Sequence, residues 1–367
     1  MKAKNILTIF LTWLIIVNFF AYLALNRLNL NSDTAYPWMS AAPAISSIAT
    51  SVHARWDSLW YLDIAHNGYS YKGVGQLSNL VFLPLYPLLI KVVSFVTLQN
   101  YVLAGWLVSA ISLFFALFML SKIVKEFHKS IDPFLPVAFL LIFPTAFFLN
   151  TVYSESLFLF LSLAVFYFAL KRNFLWAGIF GFLAALTRVT GVLLFIPVIW
   201  EYFSSMSEKG RPFRFRDLTP AFLIPLGTAV FMFYEYLKFG DFYLMAKVES
   251  WWGRGLGISY NHFVFLTSAA RANFIVDFMI LIFTIVVAIF VFKRLRISYG
   301  LYLVSFLLVI FLSGTLMSVG RYVLVLFPIY ILAASLKNKY LQFGWALLSV
   351  LLLAMNIILF VNNYWAG

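Results

Sequence analysis

The sequence predicts an all-α polytopic membrane protein with about 10–12 membrane helices. Three observations carry that expectation. Of the 367 residues, 63% are hydrophobic and only 11% are charged, whereas a soluble domain carries about 25% charged residues. The mean hydropathy is +0.95. The apolar residues also fall in runs close to the roughly 20 residues that cross a bilayer, separated by short basic stretches. The whole chain, 1–367, is therefore expected to be one transmembrane domain.

Helices are expected near 6–25, 81–98, 101–120, 134–152, 155–170, 173–187, 190–203, 218–237, 274–292, 298–317, 321–336 and 341–361. The first follows Lys2 and Lys4. It is longer than a signal-peptide core and no small-residue cleavage site follows closely, so it reads as a retained span. The 81–98 run contains Pro84 and Pro87, which favour a re-entrant or interfacial segment over a regular helix. Phe143-Pro144 is expected to bend the helix leading to Tyr153 and Glu155.

Lysine and arginine orient these runs. With the N-terminus in the cytoplasm, Lys2, Lys4, Lys122, Lys125, Lys129, Lys171, Arg172, Lys209, Arg211, Arg214, Arg216, Lys293, Arg294, Arg296, Lys337 and Lys339 fall inside, 16 of the 26 basic residues. This scheme requires 81–120 to make a single net crossing. It leaves two longer segments on the non-cytoplasmic face, 26–80 and 238–273. Within the first, 55–66 is expected to form a short interfacial helix with Trp56, Trp60 and Ile64 facing the membrane and Gly68 as its stop. The second holds the tryptophan-rich, charged stretch Lys247-Val-Glu-Ser-Trp-Trp-Gly-Arg254.

Composition also narrows the chemistry. With no cysteine and four scattered histidines, no zinc, haem or iron–sulfur motif is present and no cofactor is predicted. The net charge of +13 is spread between apolar runs, which suits anionic lipid headgroups and comes with no nucleic-acid motif.

Candidate site residues are the charges that interrupt apolar sequence. Asp57, in Arg55-Trp56-Asp57, can accept a proton from a hydroxyl at a water-accessible mouth, or cap a helix, or pair with Arg55. Asp63 lies six positions on, about 120° around a helix, so the two carboxylates do not share a face. His66, one turn after Asp63, can bond to it or contact a phosphate. Glu155 and Arg188 carry charges that are costly in a membrane and must face water, a ligand or each other. Arg321, Arg188, Lys247 and Arg254 are candidates to surround a phosphate, whose oxygens suit guanidinium forks. Snorkelling to lipid headgroups is the alternative for each.

In order along the chain, Arg55-Trp-Asp57 through Ile64-Ala-His-Asn-Gly-Tyr69, Phe82-Leu-Pro-Leu-Tyr-Pro87, Phe143-Pro144 through Tyr153-Ser-Glu155, Leu186-Thr-Arg188 through Gly191, and Gly320-Arg-Tyr322 through Pro328 together resemble the PIG-V family of membrane mannosyltransferases. The resemblance implies a GT-C glycosyltransferase fold with the site on the non-cytoplasmic side and a polyprenyl-phosphate sugar, typically a mannose, as donor substrate. It implies Asp57 as catalytic base, and motif positions at Tyr69, Tyr86, Glu155, Arg188 and Arg321. Arg55, Trp56, Asp63, His66, Tyr69, Tyr86 and Tyr153 are then expected substrate or interface contacts. The expected reaction is an inverting displacement onto a hydroxyl of a lipid or glycan acceptor, with no metal needed where cationic side chains bear the phosphate. The chain is shorter than eukaryotic members, and 246–252 lacks the glutamine before tryptophan found in many relatives, so the resemblance implies a prokaryotic plasma-membrane enzyme with its acceptor left open. A lipid-linked saccharide transporter or flippase, and a noncatalytic assembly subunit, are the competing readings.

Overall fold

Prolines and glycines decide where the apolar runs become helices and where they break. The computed structural model describes residues 3–29, 52–207, 215–254 and 271–366, with 207 and 271–274 as backbone alone. Every regular element among the described residues is helical. Ala3–Ala24, Tyr101–Phe127, Val189–Met206, Phe215–Phe239, Ile275–Arg294 and Lys339–Val361 are long and apolar enough to cross a bilayer. Leu85–Ser94, Glu155–Leu170, Phe174–Ala185 and Ile297–Leu312 are shorter apolar helices. Three helices begin on asparagine caps that accept backbone N–H bonds: Asn100 from Leu103, Asn173 from Trp176, and Asn338 from Tyr340 and Leu341. The protein is integral to the membrane. Within the two segments expected to face outward, residues 30–51 and 255–270 lie outside the described residues, as do Lys2, Lys209, Arg211 and Arg214.

Three expected runs are interrupted. The helix after Pro84 covers ten residues, Leu85–Ser94. At 1.5 Å per residue this is about 15 Å, half of the roughly 30 Å hydrocarbon core, so this helix does not by itself reach across. The 134–152 run divides into Phe134–Leu141 and a 3₁₀ segment, Ala146–Asn150, because Pro144 between them has no N–H to donate. The 321–336 run divides into Val319–Leu324 and Pro328–Ser335. Phe327 precedes a proline, whose ring disfavours α conformation there.

The chain forms two compact units. One comprises residues 1–69, 86–160 and 333–367, and the other 70–85 and 161–332. In the first, buried amides join the N- and C-terminal helices. Asn362 Nδ2 donates to the Ala24 carbonyl at 2.9 Å while its Oδ1 accepts the Asn26 N–H at 3.0 Å. Asn356 Nδ2 donates to the carbonyl of Pro144 at 2.9 Å, and Trp13 Nε1 to that of Leu141 at 2.8 Å. Such bonds matter in a membrane protein because hydrocarbon offers no substitute partner.

The Ser58–Asn67 helix belongs to this unit and ends at Gly68, whose φ of +83° suits a residue without Cβ. The expected membrane-facing stripe on it is corrected. Trp60 and Ile64 are 1% and 6% exposed, and Trp56 stands before the helix at φ +53°. The helix packs on Tyr101–Phe127, so its apolar side faces protein.

In the second unit small residues let helices touch. Phe174–Ala185 packs on Phe215–Phe239 so closely that a Cβ at Gly178 would lie 2.0 Å from the Pro220 carbonyl oxygen, and one at Gly227 would lie 2.5 Å from that of Phe182. Phe166, Tyr299, Tyr302 and Phe327 interlock with centroid spacings of 5.0–6.0 Å.

Candidate functional site

In the first unit, the segment carrying Asp57 is clamped by 150–153. The His53 carbonyl accepts the Val152 N–H at 2.9 Å. The Tyr153 hydroxyl donates to the Arg55 carbonyl at 3.1 Å and accepts the Asp57 N–H at 3.3 Å. That bridge spans Trp56, whose left-handed backbone is uncommon for a bulky residue and costs on the order of 1–3 kcal/mol. The Trp56 ring is fixed as well, its Nε1 donating to the Tyr364 carbonyl at 3.2 Å and its edge meeting Trp365 at 5.0 Å. Asp57 follows as the half-buried N-cap residue of Ser58–Asn67.

A polar network lies behind the clamp. Ser109 Oγ donates to the Tyr153 carbonyl at 3.1 Å, and the Tyr86 hydroxyl bonds Ser109 Oγ at 2.7 Å and the Gly105 carbonyl at 3.0 Å. Tyr61 Oη pairs with Ser154 Oγ at 2.8 Å, its ring edge-on to Tyr86 at 5.0 Å. Tyr86 and Tyr153, expected as substrate or interface contacts, are 0% and 1% exposed. Their hydroxyls serve protein groups. Glu155 is also fully buried and opens the Glu155–Leu170 helix, where the N-terminal dipole favours a carboxylate.

On the same helix, Asn67 bonds both Asp63 and His66. Its Nδ2 donates to Asp63 Oδ1 at 2.8 Å and its Oδ1 meets His66 Nδ1 at 2.7 Å. The exposed His66 ring also lies 5.2 Å from Tyr101. Tyr69, just past Gly68, is partly exposed. Arg55 Nη2 donates to the Val361 carbonyl at 3.3 Å, and burial lowers its pKa.

His53 gives the clamp a pH dependence. Its Nδ1 lies 2.8 Å from the Asn150 carbonyl, which can only accept, so Nδ1 carries the proton. Burial pushes its pKa down to about 4, against a weaker upward pull from that bond. Between pH 6.5 and about 4 the unfolded chain therefore binds a proton that the folded chain excludes. Stability is expected to fall as pH drops through this window, by on the order of 3 kcal/mol. Thermal unfolding of wild type and His53→Gln at about pH 7 and about pH 4.5 measures this. The variant should show a flatter pH response, and equal responses would contradict the assignment.

The second unit carries the cations. Arg188 follows Leu186-Thr187 in extended conformation at φ −146°, and Gly191 is packed so tightly beneath that a Cβ would lie 2.4 Å from Ala184 backbone. The Leu186 carbonyl accepts the Leu85 N–H at 2.9 Å, tying the Phe82-Leu-Pro-Leu85 stretch to this turn. The Arg188 guanidinium lies 5.3 Å from the centre of the Tyr322 ring and that of Arg254 lies 5.7 Å from it. Arg254 Nη1 also donates to Tyr322 Oη at 2.7 Å and lies 3.5 Å from Glu249 Oε1. Arg321, beside Tyr322 in Val319–Leu324, is 5% exposed. Lys247 pairs instead with Asp241, and with the Tyr243 N–H this lowers the Asp241 pKa.

Aromatic rings hold the arginine-bearing stretch in place. Trp251 stacks on Tyr71 at 6.3 Å and Trp252 meets Phe82 at 6.0 Å. The buried Glu235 carboxylate accepts the Met245 N–H at 3.2 Å, at the start of Leu244–Trp251. Among the described residues, no three histidine, aspartate or glutamate side chains gather as a cation site. Sequence reasoning missed Tyr322, Tyr61 and Ser109 as site organisers. Only the Arg321-Tyr322 adjacency hinted at the first.

The family described as Mannosyltransferase (PIG-V) matches residues 3–255, which leaves the Gly320-Arg-Tyr322 motif outside the matched region. No curated protein sequence matches the chain. The crystal structure of ArnT from Cupriavidus metallidurans bound to undecaprenyl phosphate superposes with a TM-score of 0.54 at 12% identity, covering 100% of this chain and 77% of that one. The all-α membrane architecture is thus the GT-C fold, and the family match over more than half of the sequence makes the protein a member of the PIG-V mannosyltransferase family.

Proposed function

We propose that the protein transfers a sugar, most simply mannose, from a polyprenyl-phosphate donor to a hydroxyl acceptor on the non-cytoplasmic side of a plasma membrane. Asp57 takes the acceptor's proton. The acceptor oxygen attacks the anomeric carbon, the bond from that carbon to the phosphate oxygen breaks, and polyprenyl phosphate departs with the bonding electrons. A single displacement of this kind inverts the anomeric configuration. Arg188 and Arg254 bear the charge that develops on the departing phosphate, with Arg321 beside them in the same unit. Arg55, Trp56 and Tyr153 fix the segment that presents Asp57.

The observation that carries this reading is the half-buried Asp57, held through its backbone by the Tyr153 hydroxyl, in a member of a mannosyltransferase family. The undecaprenyl phosphate bound to ArnT supports a lipid phosphate as the donor's leaving group. Purified protein in lipid vesicles, supplied with polyprenyl-phosphomannose and lipid acceptors, tests it by mass spectrometry. A mannosylated product and free polyprenyl phosphate are expected. Movement of intact donor between leaflets without product would identify a flippase, and activity appearing only with a second protein would identify an assembly subunit.

A further inference from the structure

The Tyr322 ring is shared by two arginines that come from distant parts of the second unit. Arg188 ends the turn after Phe174–Ala185, and Arg254 follows the Leu244–Trp251 helix. Two guanidiniums within 6 Å of one ring repel each other unless something between them offsets the charge. The ring's negative face attracts each cation, and the Tyr322 hydroxyl accepts from Arg254 Nη1 at 2.7 Å. Glu249 is the neighbouring acid, but its Oε1 stands at 3.5 Å from the same Nη1, so the tyrosine makes the closer contact. Tyr322 is itself held. It sits in the short Val319–Leu324 helix, which packs on the helix containing Asp277, and the Asp277 carboxylate accepts the Gly320 N–H. The Gly191 packing and the Leu85–Leu186 bond fix Arg188 from the other side.

We propose that Tyr322 is a positioning residue that holds Arg188 and Arg254 together as one preformed receptor for a lipid-borne phosphomonoester. This rests on the assignment of Arg188 and Arg254 to the departing polyprenyl phosphate, which is a diester in the sugar donor and becomes a monoester when the sugar leaves. Its added content is that the tyrosine fixes the spacing of the two cations before the ligand arrives. A phosphomonoester offers three oxygens and up to two negative charges, which two guanidiniums match, whereas a polyprenol offers one neutral hydroxyl and no charge.

The test is equilibrium binding of polyprenyl phosphate to the purified full chain, with polyprenol as the uncharged probe, for wild type, Tyr322→Phe, Tyr322→Leu, Arg188→Gln and the Arg188→Gln/Tyr322→Leu double variant. Losing the ring and the hydroxyl should weaken polyprenyl phosphate binding about tenfold, and losing the hydroxyl alone about threefold. Polyprenol binding should not change. In the double variant the tyrosine substitution should cost clearly less than it does alone, because the pair acts as a unit. Normal binding by Tyr322→Leu beside weakened binding by Arg188→Gln would overturn the positioning role and leave the phosphate assignment standing. Normal binding by both would overturn the phosphate assignment and the positioning role with it. An equal loss of polyprenol binding would place Tyr322 in a tail groove and also overturn the proposal. Should Tyr322→Leu fail to fold, the isosteric Tyr322→Phe decides, and unchanged binding there contradicts the role.

Discussion

Asp57→Asn is expected to lower the rate of sugar transfer by about 10²- to 10⁴-fold, the range over which a positioned general base contributes. The substitution keeps the shape of the side chain. It also keeps the backbone N–H that donates to the Tyr153 hydroxyl, and the backbone carbonyl that opens Ser58–Asn67 by accepting from Trp60. What disappears is the ability to take a proton from the acceptor hydroxyl. Donor binding and the thermal midpoint should therefore stay near wild type while turnover collapses. Single-turnover transfer with donor prebound separates the two effects. Wild-type turnover in Asp57→Asn would remove the carboxylate from the chemistry, and parallel loss of folding would reduce it to a helix cap.

Arg188→Gln is expected to raise the donor KM about tenfold or more, the weight of a charge-assisted hydrogen bond to an anion. The effect on the acceptor KM should be small. The Arg188 backbone is tightly determined, since Gly191 is packed against Ala184 and the Leu186 carbonyl anchors the preceding turn. Glutamine can still donate, so the fold should tolerate it. Measured donor and acceptor KM values, read beside a thermal midpoint, check this. Unchanged donor KM with a lowered midpoint would assign the arginine to structure.

Both residues were candidates in the sequence. Asp57 drew attention because a carboxylate between two tryptophans, Trp56 and Trp60, stands out in an apolar chain. The membrane fold was legible, since Ala3–Ala24, Tyr101–Phe127 and Lys339–Val361 are runs whose composition permits little else. Gly68 as a helix stop followed from its freedom at positive φ.

What the sequence hid has two physical causes. Hydropathy windows are blind to hydrogen bonding, so 134–152 and 321–336 read as continuous although Pro144 and Pro328 break them. In a chain this apolar, a hydrophobic face also does not say whether it meets lipid or protein. That is why Trp60 and Ile64 were expected toward the membrane and are buried. Convergence is the second cause. Arg254 and Tyr322 are 68 positions apart, and no local pattern encodes their contact. The Tyr86–Ser109–Tyr153 network escaped for the same reason, because a lone serine in an apolar helix carries no signal until its partners are in place.

The most direct measurement is a structure of the protein with polyprenyl phosphate bound. The expected result places phosphate oxygens within hydrogen-bonding distance of both the Arg188 and Arg254 guanidiniums, with both still gathered at Tyr322. A phosphate lodged away from Arg188, or one that binds only after the two arginines have left the Tyr322 ring, would contradict it.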